Sequence, residues 1–236
     1  MTCIAVLDRV PTGCKTLDRD LNGGISSRSV SLIYGEAETG KTTLAMQLAV
    51  NCALKGNKTL FIDCDGTFSA KRLSQVAAQR FDEIAELIIL MRPSNFAEQA
   101  TTVDRLPEYL TDHFGLVVVD TLTSLYRVRI AEYPQRAFEL NRELNRQLAF
   151  LAQISKMHKI AVLAVSQVSA SFKEEQTSIE PVATRVLKFW ADTIMDMKPT
   201  EKTKIVKLVL EKASKLQPTT YYLSITESGI HECSIH

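Results

Sequence analysis

Short, mostly apolar runs recur along the chain at 30–34, 60–63, 87–90, 116–119 and 160–165, and their length and β-branched content predict strands. Two of them, 116–119 and 160–165, are apolar at every position, which predicts burial on both faces. Between the runs lie segments of helical period, opening at 44–49 and continuing at 70–81, 96–110 and 135–157. Pro107 predicts a bend or break in the third of these, and the fourth places Phe138, Leu144, Leu148 and Leu151 on its apolar face. Strand and helix in strict alternation predict a mostly parallel central sheet flanked by helices. The C-terminal part departs from this rhythm. Strands at 193–197, 204–210 and 221–225 follow one another without helices, so antiparallel strands should extend the sheet. Before all of this, 14–21 reads as a short helix stopped by Asn22-Gly23. The expectation is one α/β domain over 1–236, with 1–28 as a short lead-in and no room there for a separate N-terminal domain.

Composition narrows the picture. A chain of 236 residues that is 45% hydrophobic can bury a sizeable core, and a net charge of +1 gives no global attraction to nucleic acid, so any such contact must be local. The five cysteines (Cys3, Cys14, Cys52, Cys64, Cys233) are scattered without a CxxC pair, which fits reduced packing thiols rather than zinc ligands or a disulfide framework. No run approaches a membrane span and no signal-peptide core is present, so a soluble, cytoplasmic protein is expected.

Chemistry concentrates after the first strand. Gly35-Glu36-Ala37-Glu38-Thr39-Gly40-Lys41-Thr42-Thr43 fits G-x-x-x-x-G-K-[ST] between a strand and a helix. The glycines let backbone N–H groups converge on phosphate oxygens, Lys41 reaches the β- and γ-phosphates, and the Thr42 hydroxyl ligates Mg²⁺. The pattern predicts a site for a nucleoside triphosphate with Mg²⁺. Leu116-Val117-Val118-Val119-Asp120 is an apolar strand ending in a carboxylate that would share the metal with Thr42. Asp63 or Asp65, at the end of the strand following the loop helix, could orient an attacking water.

From about residue 11 to its end the chain resembles the RecA/RadA recombinase family. Thr12-Gly13-Cys14-Lys15-Thr16-Leu17-Asp18 resembles the family's S-G-x-x-x-L-D, and Phe61-Ile62-Asp63-Cys64-Asp65-Gly66-Thr67-Phe68 its I-D-T-E-G-T-F. Asp120 falls in its L-x-x-x-D-[ST], Val165-Ser166-Gln167-Val168 is similar to its N-Q sensor, and 225–230 to its closing strand. Within the family the short archaeal paralogues of RadA are most similar, since no helix-hairpin-helix domain or polymerisation linker precedes the core. The resemblance implies a RecA-like P-loop ATPase core. It implies that Asp65 stands for the catalytic glutamate, that Arg72 stacks on adenine and that Gln167 couples the γ-phosphate to a DNA loop. Asp65 is one methylene shorter than glutamate, Glu38 replaces a loop glycine and Ser166 replaces asparagine, so slow hydrolysis is expected.

Two segments follow strand ends where the family binds DNA. The first, 126–136, reads as a loop mixing Arg127, Arg129 and Arg136 with tyrosines, suited to phosphate contacts and base stacking. The second, 169–184, offers Lys173 against Glu174, Glu175 and Glu180, which argues against strong strand exchange. Residues 198–215 carry six lysines against two glutamates, a DNA-facing patch or the source of a lysine reaching a neighbouring subunit's ATP site, with Lys212 the candidate. The expected function is an ATP- and DNA-binding accessory protein of homologous recombination and repair with weak ATPase activity. Its expected partners are DNA, a recombinase or branched-DNA nuclease, and copies of itself. An active strand-exchange recombinase and a KaiC-like ATPase without a DNA role are the alternatives.

Overall fold

The apolar runs become strands where their pattern predicts them. The computed structural model describes residues 7–167, 179–213 and 217–233. At the N-terminus, β1 (Arg9–Val10) and β2 (Ile25–Ser26) pair around the short α1 (Lys15–Asp20). Next come β3 (Val30–Gly35), α2 (Lys41–Ala53), β4 (Lys58–Asp63), α3 (Ala70–Ala77) and α4 (Phe81–Ala85). They are followed by β5 (Ile88–Met91), α5 (Phe96–Asp104), α6 (Leu106–Tyr109) and β6 (Phe114–Asp120). The second half runs α7 (Ser124–Glu132), α8 (Ala137–His158), β7 (Ala161–Gln167), α9 (Ile179–Trp190), β8 (Thr193–Pro199) and β9 (Ile205–Lys212). The hairpin of β10 (Thr219–Thr226) and β11 (Gly229–Glu232) closes the order.

Among the described residues nine strands form one sheet in the order β11-β10-β9-β8-β3-β7-β6-β4-β5. From β5 to β8 neighbours are parallel, and from β8 to β11 they are antiparallel, as the change of rhythm predicts. The strand period of two sorts the core. Ile33, Phe61, Leu116, Val118 and Leu163 pack with Leu44 and Leu48 of α2 on one face. Leu32, Ile62, Val117, Val119 and Val162 pack with Val103 of α5 and Leu144, Leu148 and Leu151 of α8 on the other. Register then aligns the strand ends, with Gly35 opposite Gln167 and Asp63 opposite Asp120. The carboxyl ends of β3, β7, β6 and β4 therefore share one edge, where α/β sheets bind ligands.

Several elements differ from the sequence reading. The segment read as a DNA loop is helical through Glu132, because Tyr126 and Ile130, one turn apart, are buried against the core. Phe138 is 81% exposed, and Leu140 takes the core position assigned to it. The helix expected over 70–81 stops at Ala77, since Ala78 adopts a left-handed φ of +50°. Leu106–Tyr109 is a separate short helix, so Pro107 accompanies a break rather than a bend. Part of the second expected loop belongs to α9, and Lys173 lies outside the described residues. None of the described helices is long and apolar enough to cross a membrane.

Candidate nucleotide site

Between β3 and α2 the chain turns through residues 36–40 and presents the N-terminus of a thirteen-residue helix to the sheet edge. Both glycines are required by what surrounds them. At Gly35, with φ +149°, a Cβ would sit 2.0 Å from the carbonyl oxygen of Met197 in β8. At Gly40, with φ +85°, it would meet Ile225 Cδ1 at 2.9 Å. Glu38 occupies the left-handed region at φ +62°, a conformation that glycine adopts without strain.

A cleft of about 430 Å³ opens over this turn, lined by Lys41, Thr42, Asp65, Thr121 and Gln167 among others. Lys41 is buried, and its ammonium donates to the Glu36 carbonyl and stands 3.4 Å from Thr39 Oγ1. Burial lowers its pKa, Asp120 and Asp65 act to raise it, and the nearby charge of Arg127 lowers it further. An anionic guest would relieve that balance.

Asp120 is 1% exposed, and burial pushes its pKa up to about 6 despite a hydrogen bond from Thr42. Its Oδ2 has no hydrogen-bond partner among the described residues. A buried, orphaned carboxylate oxygen beside a threonine hydroxyl is a donor set that fits Mg²⁺, whose remaining ligands would be phosphate oxygens and water. No cluster of three or more His, Cys, Asp or Glu suited to a metal occurs among the described residues.

The two acidic candidates after β4 separate cleanly. Asp63 accepts from the N–H groups of Thr67 and Phe68 at 3.0 and 3.2 Å and from Arg92 Nε at 3.0 Å, so it builds the turn. Asp65 is exposed in the cleft and accepts a hydrogen bond from the Thr121 hydroxyl. Thr121 was missed in the sequence, although it is the polar residue after the strand-ending aspartate. Arg92 and Ile225 were also missed, since neither carries a local signal.

Other candidates scatter. Arg72 is not in the cleft wall, and its guanidinium donates to the carbonyls of Thr226 and Glu227 at 2.7 and 2.8 Å. Those bonds use the edge of the group and leave its planar faces. Arg129 pairs with Glu132 at 3.2 Å and lies over the Tyr133 ring, while Arg136 pairs with Glu139 at 2.7 Å. Lys212 donates to the Ala191 carbonyl of its own chain at 2.6 Å. In the lysine-rich hairpin, Lys198 pairs with Asp196 at 2.9 Å.

The Rad51 family model matches residues 5–233. A DNA repair and recombination protein RadB from Methanococcoides burtonii is 32% identical over 225 residues, covering 95% of this chain and 98% of the relative. A protein of the same description from Thermococcus gammatolerans is 36% identical over 230 residues, covering 94% and 98%. Among solved structures, a RadB recombinase superposes with a TM-score of 0.77 at 30% identity, covering 95% of this chain and all of that one. The chain belongs to the Rad51 family, with RadB proteins among its relatives.

Proposed function

We propose that this protein is a RadB-like accessory factor of recombination and repair in the cytoplasm. It binds ATP with Mg²⁺, hydrolyses it slowly and binds DNA. The observation that carries the reading is one cleft lined by Lys41 of the loop, Thr42 and the exposed carboxylate of Asp65, with the orphaned oxygen of Asp120 buried behind that wall beside Thr42. Lys41 neutralises the β- and γ-phosphates. Thr42 and Asp120 would hold Mg²⁺, which when bound supplies charge neutralisation to the phosphate oxygens. Asp65, held by Thr121, orients the water that attacks the γ-phosphorus, so that the P–O bond to ADP breaks and phosphate leaves. The short side chain of Asp65 sets the carboxylate back by about one C–C bond, and a displacement of about 1 Å can cost about a hundredfold in rate.

Arg129 and Arg136 are each paired with a glutamate on their own helical turn. That pairing offsets their charge and fits modest, salt-sensitive DNA binding rather than a strand-exchange groove. Partners would then be DNA, a recombinase or branched-DNA nuclease, and copies of the chain. The deciding experiment measures ATP turnover and DNA affinity on the same preparation, with and without nucleotide. Slow turnover with salt-dependent DNA binding is expected. Turnover without DNA binding at any salt would leave a nucleotide switch with no DNA role, and nucleotide-dependent filaments on DNA would mark an active recombinase.

A further inference from the structure

We propose that Arg127 is a positioning residue of the nucleotide cleft, acting through Gln167, and not a contact to DNA phosphates. The proposal rests on the ATPase reading above. Arg127 lies on a helix whose Tyr126 and Ile130 are buried, so its backbone is fixed against the core. Its Nη2 donates to the carbonyl oxygen of Gln167 and stands 3.4 Å from Thr123 Oγ1. Thr123 Oγ1 is in turn 3.0 Å from Ser166 Oγ. Residues 123, 127, 166 and 167 thus form one polar knot joining the first turn of α7 to the last two residues of β7. Ser166, which stands where the family has asparagine, is tied into it.

That knot matters because of where β7 ends. Gln167 sits opposite Gly35 in the sheet and lines the cleft with Lys41 and Asp65. A guanidinium holding its carbonyl fixes the backbone from which the Gln167 side chain enters the cleft. That hold places Arg127 in the nucleotide's service.

The test compares Arg127→Ala, Arg127→Lys, Gln167→Ala and the Arg127→Ala/Gln167→Ala double variant, each checked by circular dichroism. Arg127→Ala should lower kcat about tenfold with KM within about threefold, and Arg127→Lys should restore part of it. The double variant should be no slower than Gln167→Ala within about twofold, because two residues acting as a unit are not additive. The slope of log DNA affinity against log salt should be unchanged in Arg127→Ala. Multiplied losses in the double variant would overturn the proposal. So would a salt slope flattened by about one unit with kcat intact, the signature of a lost phosphate contact. If Arg127→Ala does not fold, Arg127→Lys alone decides through kcat, DNA slope and coupling to Gln167→Ala. A wild-type protein that binds ATP without turnover sinks the ATPase reading but not this one. The readout is then affinity, and Arg127→Ala should weaken ATP at least about threefold more than ADP; equal loss overturns it.

Discussion

At the scale of single residues, Glu38 and Asp65 are two positions lining the cleft whose effects can be separated. Glu38 holds a left-handed φ of +62° beside the phosphate path. Glu38→Gly should raise unfolding stability by about 1 kcal/mol, the usual cost of an L-residue in that conformation. It should also tighten ATP by removing a negative charge. Glu38→Ala removes the charge and keeps the strain, so urea melts of the two variants should differ while their ATP titrations agree. Asp65 is the second position. Asp65→Glu extends the carboxylate by one methylene and should raise kcat up to about tenfold, or about 1.4 kcal/mol of barrier, with KM nearly unchanged. Asp65→Asn should fall below wild type in a steady-state assay. Equal rates for Asn and Asp would remove Asp65 from the mechanism.

Elements are held to the site by polar side chains as much as by packing. Gln47 of α2 donates to the carbonyls of Thr12 and Ile230 at 2.7 and 3.0 Å and accepts from the N–H of Ile230 at 2.7 Å. One buried amide therefore fastens the N-terminal lead-in and β11 to the helix that follows the phosphate loop. Gln47→Ala would orphan the Thr12 carbonyl and the Ile230 N–H, leave the Ile230 carbonyl only the weak Cys14 thiol, and should cost about 2–3 kcal/mol, measured by urea unfolding. The end of α7 and the turn after it test DNA binding. Arg129→Ala with Arg136→Ala should weaken binding on every sequence and flatten the salt slope by at most about one unit per lost contact. An unchanged slope would move the contact to the lysine-rich hairpin of β8 and β9.

For the whole molecule, ligand binding and folding are linked through the cleft. The phosphate loop joins β3 to α2, so a ligand there stabilises the central strand and the main helix of one core face together. Mg·ATP at about one hundred times its Kd should add about 2.7 kcal/mol. For a chain of this length that raises Tm by roughly 5–10 °C. Lys41→Ala should abolish the shift, and Asp120→Asn should reduce the part that depends on Mg²⁺. A Lys41→Ala protein that still shifts with ATP would place the nucleotide elsewhere.

The positions of the strands by length and period, the change from parallel to antiparallel pairing, and the phosphate loop with its strand-ending aspartate were all legible in the sequence, whereas the order of the strands across the sheet was not. Each depends on local chemistry: period-two burial for strands, and glycine, lysine and threonine at fixed spacing for phosphate and metal. Residue chemistry left Asp63 and Asp65 open and the resemblance favoured Asp65; the physical reason came from the tertiary structure, through Arg92 and Thr121 at β5's end and β6's end. Tertiary contact also turned the expected loop at 126–136 into a helix, since burial of Tyr126 and Ile130 outweighs an arginine-rich composition. The same holds for Arg127, whose partner Gln167 is forty residues away in the chain. Spacing along a chain records what neighbours can do together, whereas hydrogen bonds between distant segments exist only once the sheet has set their register.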